Sequence, residues 1–226
     1  LDDEHRVTPI DVGDVCLNYD REVIADEEAP GSLEELVPVA DQLVVMNPAT
    51  SSPGLAFLLA TVETFGEDGY LDFWAQVADE VTVTEGWEDG YYGQFSGGSG
   101  EGDKPLVVSY ASSPPAEVFF ADPQPDEAPT GVIEASCFRQ IEFAGILRGT
   151  EHEAEAQQVV DWLLSREFQE DIPLNMFVFP VNRDATLPDV FVEHAVLPED
   201  PIQMDFREIG ENREAWIEAW TQTVLR

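Results

Sequence analysis

Short apolar runs and amphipathic stretches take turns along the chain. Residues 43–46 and 106–110 are continuous apolar runs bounded by polar turns, which predicts buried strands. Longer strand patterns cover 12–19 and 132–143, and 81–84 alternates as a short strand. Helical spacing predicts helices over 53–64 and 70–79. A third helix is expected over 153–168, with Val159, Val160, Leu163 and Leu164 facing inward. Ser32-Leu33-Glu34-Glu35 has the form of a capping box opening a short helix, and another helix starts near Trp87. A terminal amphipathic helix over 212–225 carries Trp216 and Trp220 one turn apart. The stretches 96–102 and 121–130 read as loops. Strands alternating with helices argue an α/β fold whose sheet is covered on both faces.

One strand-to-helix junction is chemically distinctive. After the run at 43–46 comes Asn47-Pro48-Ala49-Thr50-Ser51-Ser52-Pro53-Gly54, and then the apolar helix. Three hydroxyls and a glycine stand where free backbone N–H groups and the positive dipole end gather. Thr50, Ser51, Ser52 and Gly54 can therefore form a cradle for an anion or a polar ligand group, with Gly54 admitting close approach to the backbone. The same residues also suit an ordinary N-cap on a core helix, with Pro53 in the first turn.

Charge narrows the partners. The 226 residues include 47 acidic and 10 basic ones, for a formal charge of −37. Such a surface repels nucleic acid and anionic membranes. The acidity is spread out and 43% of residues remain hydrophobic, so the chain folds rather than forming an acidic tail. The expected setting is concentrated salt, as in a halophile; a merely acidic mesophilic protein is the alternative. The run is nowhere long and apolar enough for a membrane span, and no leader is read at Leu1-Asp2-Asp3. An exported protein would already have lost its leader.

Catalytic signatures are scarce. His5, His152 and His194 stand apart, without metal-ligand spacing, so no metal site is expected. Cys16 and Cys137 form no Cys-x-x-Cys, and no Gly-x-Ser-x-Gly elbow is present. No cofactor is implied, and a secreted α/β hydrolase is the weakest reading.

Several short motifs occur in one order. They are Pro9-Ile10-Asp11-Val12-Gly13, Asn18-Tyr19-Asp20, the junction at 47–54 and Phe65-Gly66-Glu67-Asp68. Val81-Thr82-Val83-Thr84-Glu85-Gly86-Trp87 and Leu106-Val107-Val108-Ser109-Tyr110-Ala111-Ser112-Ser113-Pro114 follow. Phe168-Gln169, Ile172-Pro173 and Phe179-Pro180-Val181-Asn182 complete the set. The ordered set resembles the thiamine-binding subunits of ABC importers, which are periplasmic-type solute-binding proteins, over nearly the whole chain.

The resemblance implies a type II periplasmic-binding-protein clamshell with a ligand cleft at its hinge. The strand patterns 12–19 and 132–143 would cross between lobes. Residues 14–138 would form a complete second lobe, and residues 1–13 with 139–226 a partial first lobe, with Trp216 and Trp220 in its core. Missing strands would leave apolar faces uncovered around 159–164 and at the two tryptophans. The implied ligand is thiamine or a thiamine phosphate, and the implied partner is an ABC importer permease, at an extracytoplasmic location. Thr50, Ser51, Ser52 and Gly54 would take the hydroxyl or phosphate, and Trp87, Tyr110 and Phe177 would line the cleft. Two departures stand out: Ala116 occupies a place where the family commonly has tyrosine, and Phe177 one where tryptophan is frequent. Tyr91-Tyr92 resembles the tyrosine pair of ferric-ion-binding relatives, so ferric ion or a polyamine is the alternative ligand. If the crossover strands are neighbours, Cys16 and Cys137 can join in a disulfide; two buried free thiols are the alternative.

Overall fold

Strand β1 (Val7–Asp20) organises the computed structural model, which describes residues 6–225; His5 lies outside them. Along one edge β1 pairs antiparallel with β5 (Thr130–Gly145) from end to end, from Val7 opposite Gly145 to Asp20 opposite Thr130. Its other edge is shared. Residues Val15 to Tyr19 pair antiparallel with β4 (Leu106–Tyr110), and Asp11 and Val12 pair with β6 (Phe179–Pro180). The partner therefore changes near Gly13, while β1 and β5 run on together. Strand β2 (Leu43–Met46) adds parallel to β4, and β3 (Thr82–Thr84) parallel to β2, for the order β3-β2-β4-β1-β5 with β6 on β1. The runs at 43–46 and 106–110 become strands with the expected bounds because they are buried on both faces.

Helices α1 (Ser52–Phe65) and α2 (Tyr70–Val77) supply most of the apolar cover. Helix α1 packs on β1, β2, β4 and β5 and buries Phe57, Leu58, Leu59 and Val62. Trp74 of α2 meets Phe57 edge-on at 5.9 Å and donates its indole N–H to Thr61 Oγ1 at 2.9 Å, so its polar handle is satisfied inside the core. The last helix, α7 below, closes this body.

One local expectation needs correction, and a second is met with a change of helix type. Ser32 makes no side-chain cap. A 3₁₀ segment over Glu34–Gln42 forms instead, and Glu35 reaches back to accept from Gly31 N–H at 2.7 Å. The helix starting at Trp87 widens into a π-helix over Asp89–Gln94.

The rest of the chain departs further from its pattern. The single helix expected over 153–168 is two: α4 (Glu153–Leu163) and α5 (Arg166–Met176). Ser165 breaks it because its hydroxyl caps a new helix, accepting from Phe168 N–H at 3.3 Å. Val159, Val160, Leu163 and Leu164 do not face a core. No residue of α4 is buried, and Val159 is 55% exposed. The uncovered face expected there is present. The one expected at the terminal tryptophans is not. Helix α7 (Phe206–Val224) turns back onto α1 and α2 and buries Trp216 and Trp220; Trp220 meets Trp74 edge-on at 5.5 Å. Its apolar stripe docks on the body that has an open aromatic face to receive it.

Cys16 and Cys137 form a disulfide, with Cα atoms 4.1 Å apart. Both lie fully buried where β1 and β5 run side by side. Nearby, Arg139 Nε lies 2.6 Å from Asp14 Oδ1 in a cross-strand ion pair. Among the described residues no helix is long and apolar enough to cross a membrane.

Candidate functional site

Where β1 changes partner, the fold leaves a cavity of about 760 Å³. Its floor is aromatic. Trp87 and Tyr91 come from the helix after β3, Tyr110 from the end of β4, and Phe177 from the end of α5. Helix α3 (Ser113–Phe120) adds Ala116, Glu117 and Phe120. Asp11 of β1 and Glu142 of β5 close the strand side. Strand ends in α/β sheets gather ligand sites because loops and helix termini converge there.

Each aromatic is held. The Trp87 indole N–H donates to Ser109 Oγ at 2.8 Å, and Ser109 and Ser113 hydroxyls are 2.8 Å apart. The Trp87 ring stacks on Tyr91 at 4.9 Å and stands 6.5 Å from Tyr110. Phe177 sits in the left-handed region (φ 53°), where a bulky side chain is strained. Its carbonyl accepts from the Ser112 hydroxyl and its ring stacks against Phe191 of α6 (Asp189–His194) at 6.0 Å, which together hold it there. The buried Gln169 bridges this end of the cavity: its amide donates to the carbonyls of Ile10 and Leu163 and accepts from the N–H groups of Val181 and Asn182.

The electrostatics are one-sided. Asp11, Glu117 and Glu142 line the cavity, and no Lys or Arg among the described residues does. Burial, with the charge of Glu142 beside it, pushes the Asp11 carboxyl up to about 6. Burial, with Glu142 and Asp11 nearby, pushes the Tyr110 phenol up to about 12. Tyr91 donates its hydroxyl to Glu117 at 2.8 Å, and burial next to that carboxylate holds its phenol well above the usual range. Tyr92 is shifted upward too, by burial and the same carboxylate.

Trp87, Tyr110 and Phe177 thus share one cavity, whereas the four junction residues do not line it. Ser51 caps α1, accepting from Gly54 N–H at 3.4 Å. Thr50 donates to the Glu85 carbonyl at 2.7 Å, which ties the junction to the segment that carries Trp87. Gly54 is required by the helix–strand contact: a Cβ there would lie 2.5 Å from the Met46 carbonyl oxygen. Ala116 lines the cavity, where its small side chain leaves space that a larger one would fill. Asp11 and Glu142 escaped sequence reasoning as site residues. Only an aspartate inside an otherwise apolar strand start hinted at the first, and among so many carboxylates nothing marked the second.

A mixed sheet whose two long strands leave one strand set for another, with an aromatic cavity at the change, defines a solute-binding protein of the type II periplasmic class. The chain belongs to the bacterial extracellular solute-binding protein family, whose profile matches residues 1–213. It is 31% identical to the thiamine-binding periplasmic protein of Escherichia coli K12 over 222 residues, covering 96% of this chain and 64% of that one. The thiamine-binding periplasmic protein of Brucella suis is 28% identical, with 96% and 63% covered. A solved periplasmic thiamin binding protein superposes with a TM-score of 0.82 at 29% identity, over 98% of this chain and 67% of that one. The ferric binding protein from Campylobacter jejuni shares the fold alone (TM-score 0.75, 16% identity, 98% and 71% covered). The chain spans about 64% of the length of the curated relatives it matches.

Proposed function

We propose that this chain is part of an extracytoplasmic solute-binding protein that captures thiamine or a thiamine phosphate and hands it to an ABC importer permease. The observation that carries the reading is the cavity's chemistry: Trp87, Tyr110 and Phe177 around a space lined, among the described residues, by three carboxylates and no basic side chain. A flat aromatic cation suits it, since the thiazolium gains cation–π and charge complementarity and the pyrimidine gains stacking. The thiamine-binding names of its relatives support the same ligand. In this reading the N-terminus of α1, with Thr50, Ser51, Ser52 and Gly54, serves the hydroxyl or phosphate tail from the edge of the site. Residues 14–138 form one lobe to which α7 is added; residues 6–13 with β6, α4 and α5 belong to the other. The protein binds and releases its solute without a chemical step.

Calorimetry of the full-length protein carrying this chain tests the reading, with thiamine, thiamine monophosphate, spermidine and Fe³⁺ as probes. Thiamine should bind, and Trp87→Ala and Tyr110→Ala should each weaken it by about 1 kcal/mol or more. Heat from spermidine with none from thiamine would transfer the site to a polyamine. The high-salt setting is part of the proposal. Raising salt from about 0.01 M to 1 M shrinks the Debye length from ~30 Å to ~3 Å, so repulsion among 47 carboxylates fades and the melting temperature should climb. A flat melting temperature between low and molar KCl would remove that part.

A further inference from the structure

Asp11 stands out among the acidic residues because the fold buries it without giving it a partner. It is 5% exposed, and its Oδ1 is fully buried with no hydrogen-bond partner in the protein. An ionised oxygen in that state is costly unless something donates to it. Its cross-strand neighbour makes matters worse: Asp11 of β1 lies directly opposite Glu142 of β5, and like charges at such a pair repel. The other elements around it offer no cation. Strand β6 brings Phe179 and Pro180, and β4 brings the Tyr110 phenol. Two residues on, a Cβ at Gly13 would lie 3.8 Å from the Tyr110 ring and 3.7 Å from Val178, both of which line the cavity, as Asp11 does. Asp11 therefore belongs to the cavity wall, with its unmet acceptor turned in behind that wall.

Resting on the thiamine reading above, we infer that Asp11, backed by Glu142, is the acceptor for an amino N–H of the bound ligand. The thiazolium carries no N–H, and the tail is assigned to the end of α1. The exocyclic amine on the pyrimidine is the remaining donor, and it bonds to the Asp11 carboxylate while the rings lie among Trp87, Tyr110 and Phe177. Glu142, exposed at the cavity edge, holds the Asp11 proton more firmly in the empty site and adds negative potential for the cation. A donor arriving at the carboxyl group favours its ionised form, so binding near pH 6 expels the proton that the empty site keeps.

The test is calorimetry on the full-length protein at pH 6.0 and 7.5, in buffers of different ionisation enthalpy, with thiamine and spermidine as probes. Wild type should release protons on binding at pH 6.0 and fewer at pH 7.5. Asp11→Asn, close in shape, should bind at least tenfold more weakly at pH 7.5 and release none at pH 6.0. Glu142→Gln, at an exposed position, should fold normally, lose about threefold in affinity and release fewer protons at pH 6.0 than wild type. Thiamine affinity of Asp11→Asn within twofold of wild type, or unchanged proton release in either variant, overturns the assignment. Wild type binding spermidine and not thiamine, with the Asp11→Asn loss intact, removes thiamine and keeps Asp11 as the amine acceptor. Binding of neither probe overturns both.

Discussion

Helices α1 and α4 both present apolar residues at helical spacing, yet they end in different states. Helix α1 is pressed between the sheet and α2, with Phe57, Leu58, Leu59 and Ala60 at or below 4% exposure. Helix α4 touches little beyond α5, and Val159 and Trp162 are about half exposed. The strands follow suit: Val44, Val45 and Val107 are buried, while Ile141 and Phe143 are exposed. An amphipathic pattern states which face seeks burial, and only a partner surface supplies it. One region of this chain carries its own partners; the extension of β1 and β5 with α4 does not. The aromatic cavity lies where β1 changes partner between β4 and β6.

The largest expected contrast is a pair of tryptophans. Trp220→Ala removes a fully buried ring from the Trp74 contact and should cost ~3–5 kcal/mol in chemical denaturation. Trp162→Ala, at 52% exposure, should cost less than ~1 kcal/mol. Equal losses would erase the distinction between the regions.

Next is the staple between them. The Cys16–Cys137 disulfide closes a loop with a sequence separation of 121 around the well-packed body. A Cys16→Ser, Cys137→Ser double variant should lose ~2–5 kcal/mol in chemical denaturation. Unchanged stability would show that strand pairing alone holds the junction.

A smaller effect tests the boundary itself. The folded Asp11 carboxyl, at about 6 against an ordinary 3.8, binds its proton more tightly than in the unfolded chain. Its contribution favours folding most below pH 3.8 and fades as pH rises to about 6, where the buried carboxylate must ionise. Asp11→Asn should therefore gain stability relative to wild type across that window, by ~1–3 kcal/mol at pH 7. A pH-independent difference would mean that Asp11 is not a strained buried acid. The smallest effect belongs to Val159→Ala, which should stay within ~0.5 kcal/mol because little packs on it.

Much of the fold was legible in local pattern. The strands at 43–46 and 106–110 declare themselves because both faces are buried and both ends are punctuated by polar turns. Ser51 and Pro53 mark the start of α1 for reasons internal to any helix end. The aromatic part of the site, Trp87, Tyr110 and Phe177, was found through ordered motifs rather than through geometry.

What the chain determined by itself was where elements begin and which faces are apolar, since those follow from neighbours a few residues away. Tertiary structure decided which partner each face meets. It sent α7 onto α1 and α2, with Trp220 against Trp74, rather than to the region of α4. It packed Gly54 against the Met46 carbonyl, where no side chain fits. It also set Asp11 opposite Glu142 at the cavity, through a strand register that includes an irregularity between Pro9 and Asp11. A shift of one residue there would turn the carboxylate to the other face, and no local pattern in so acidic a sequence reveals which register is taken.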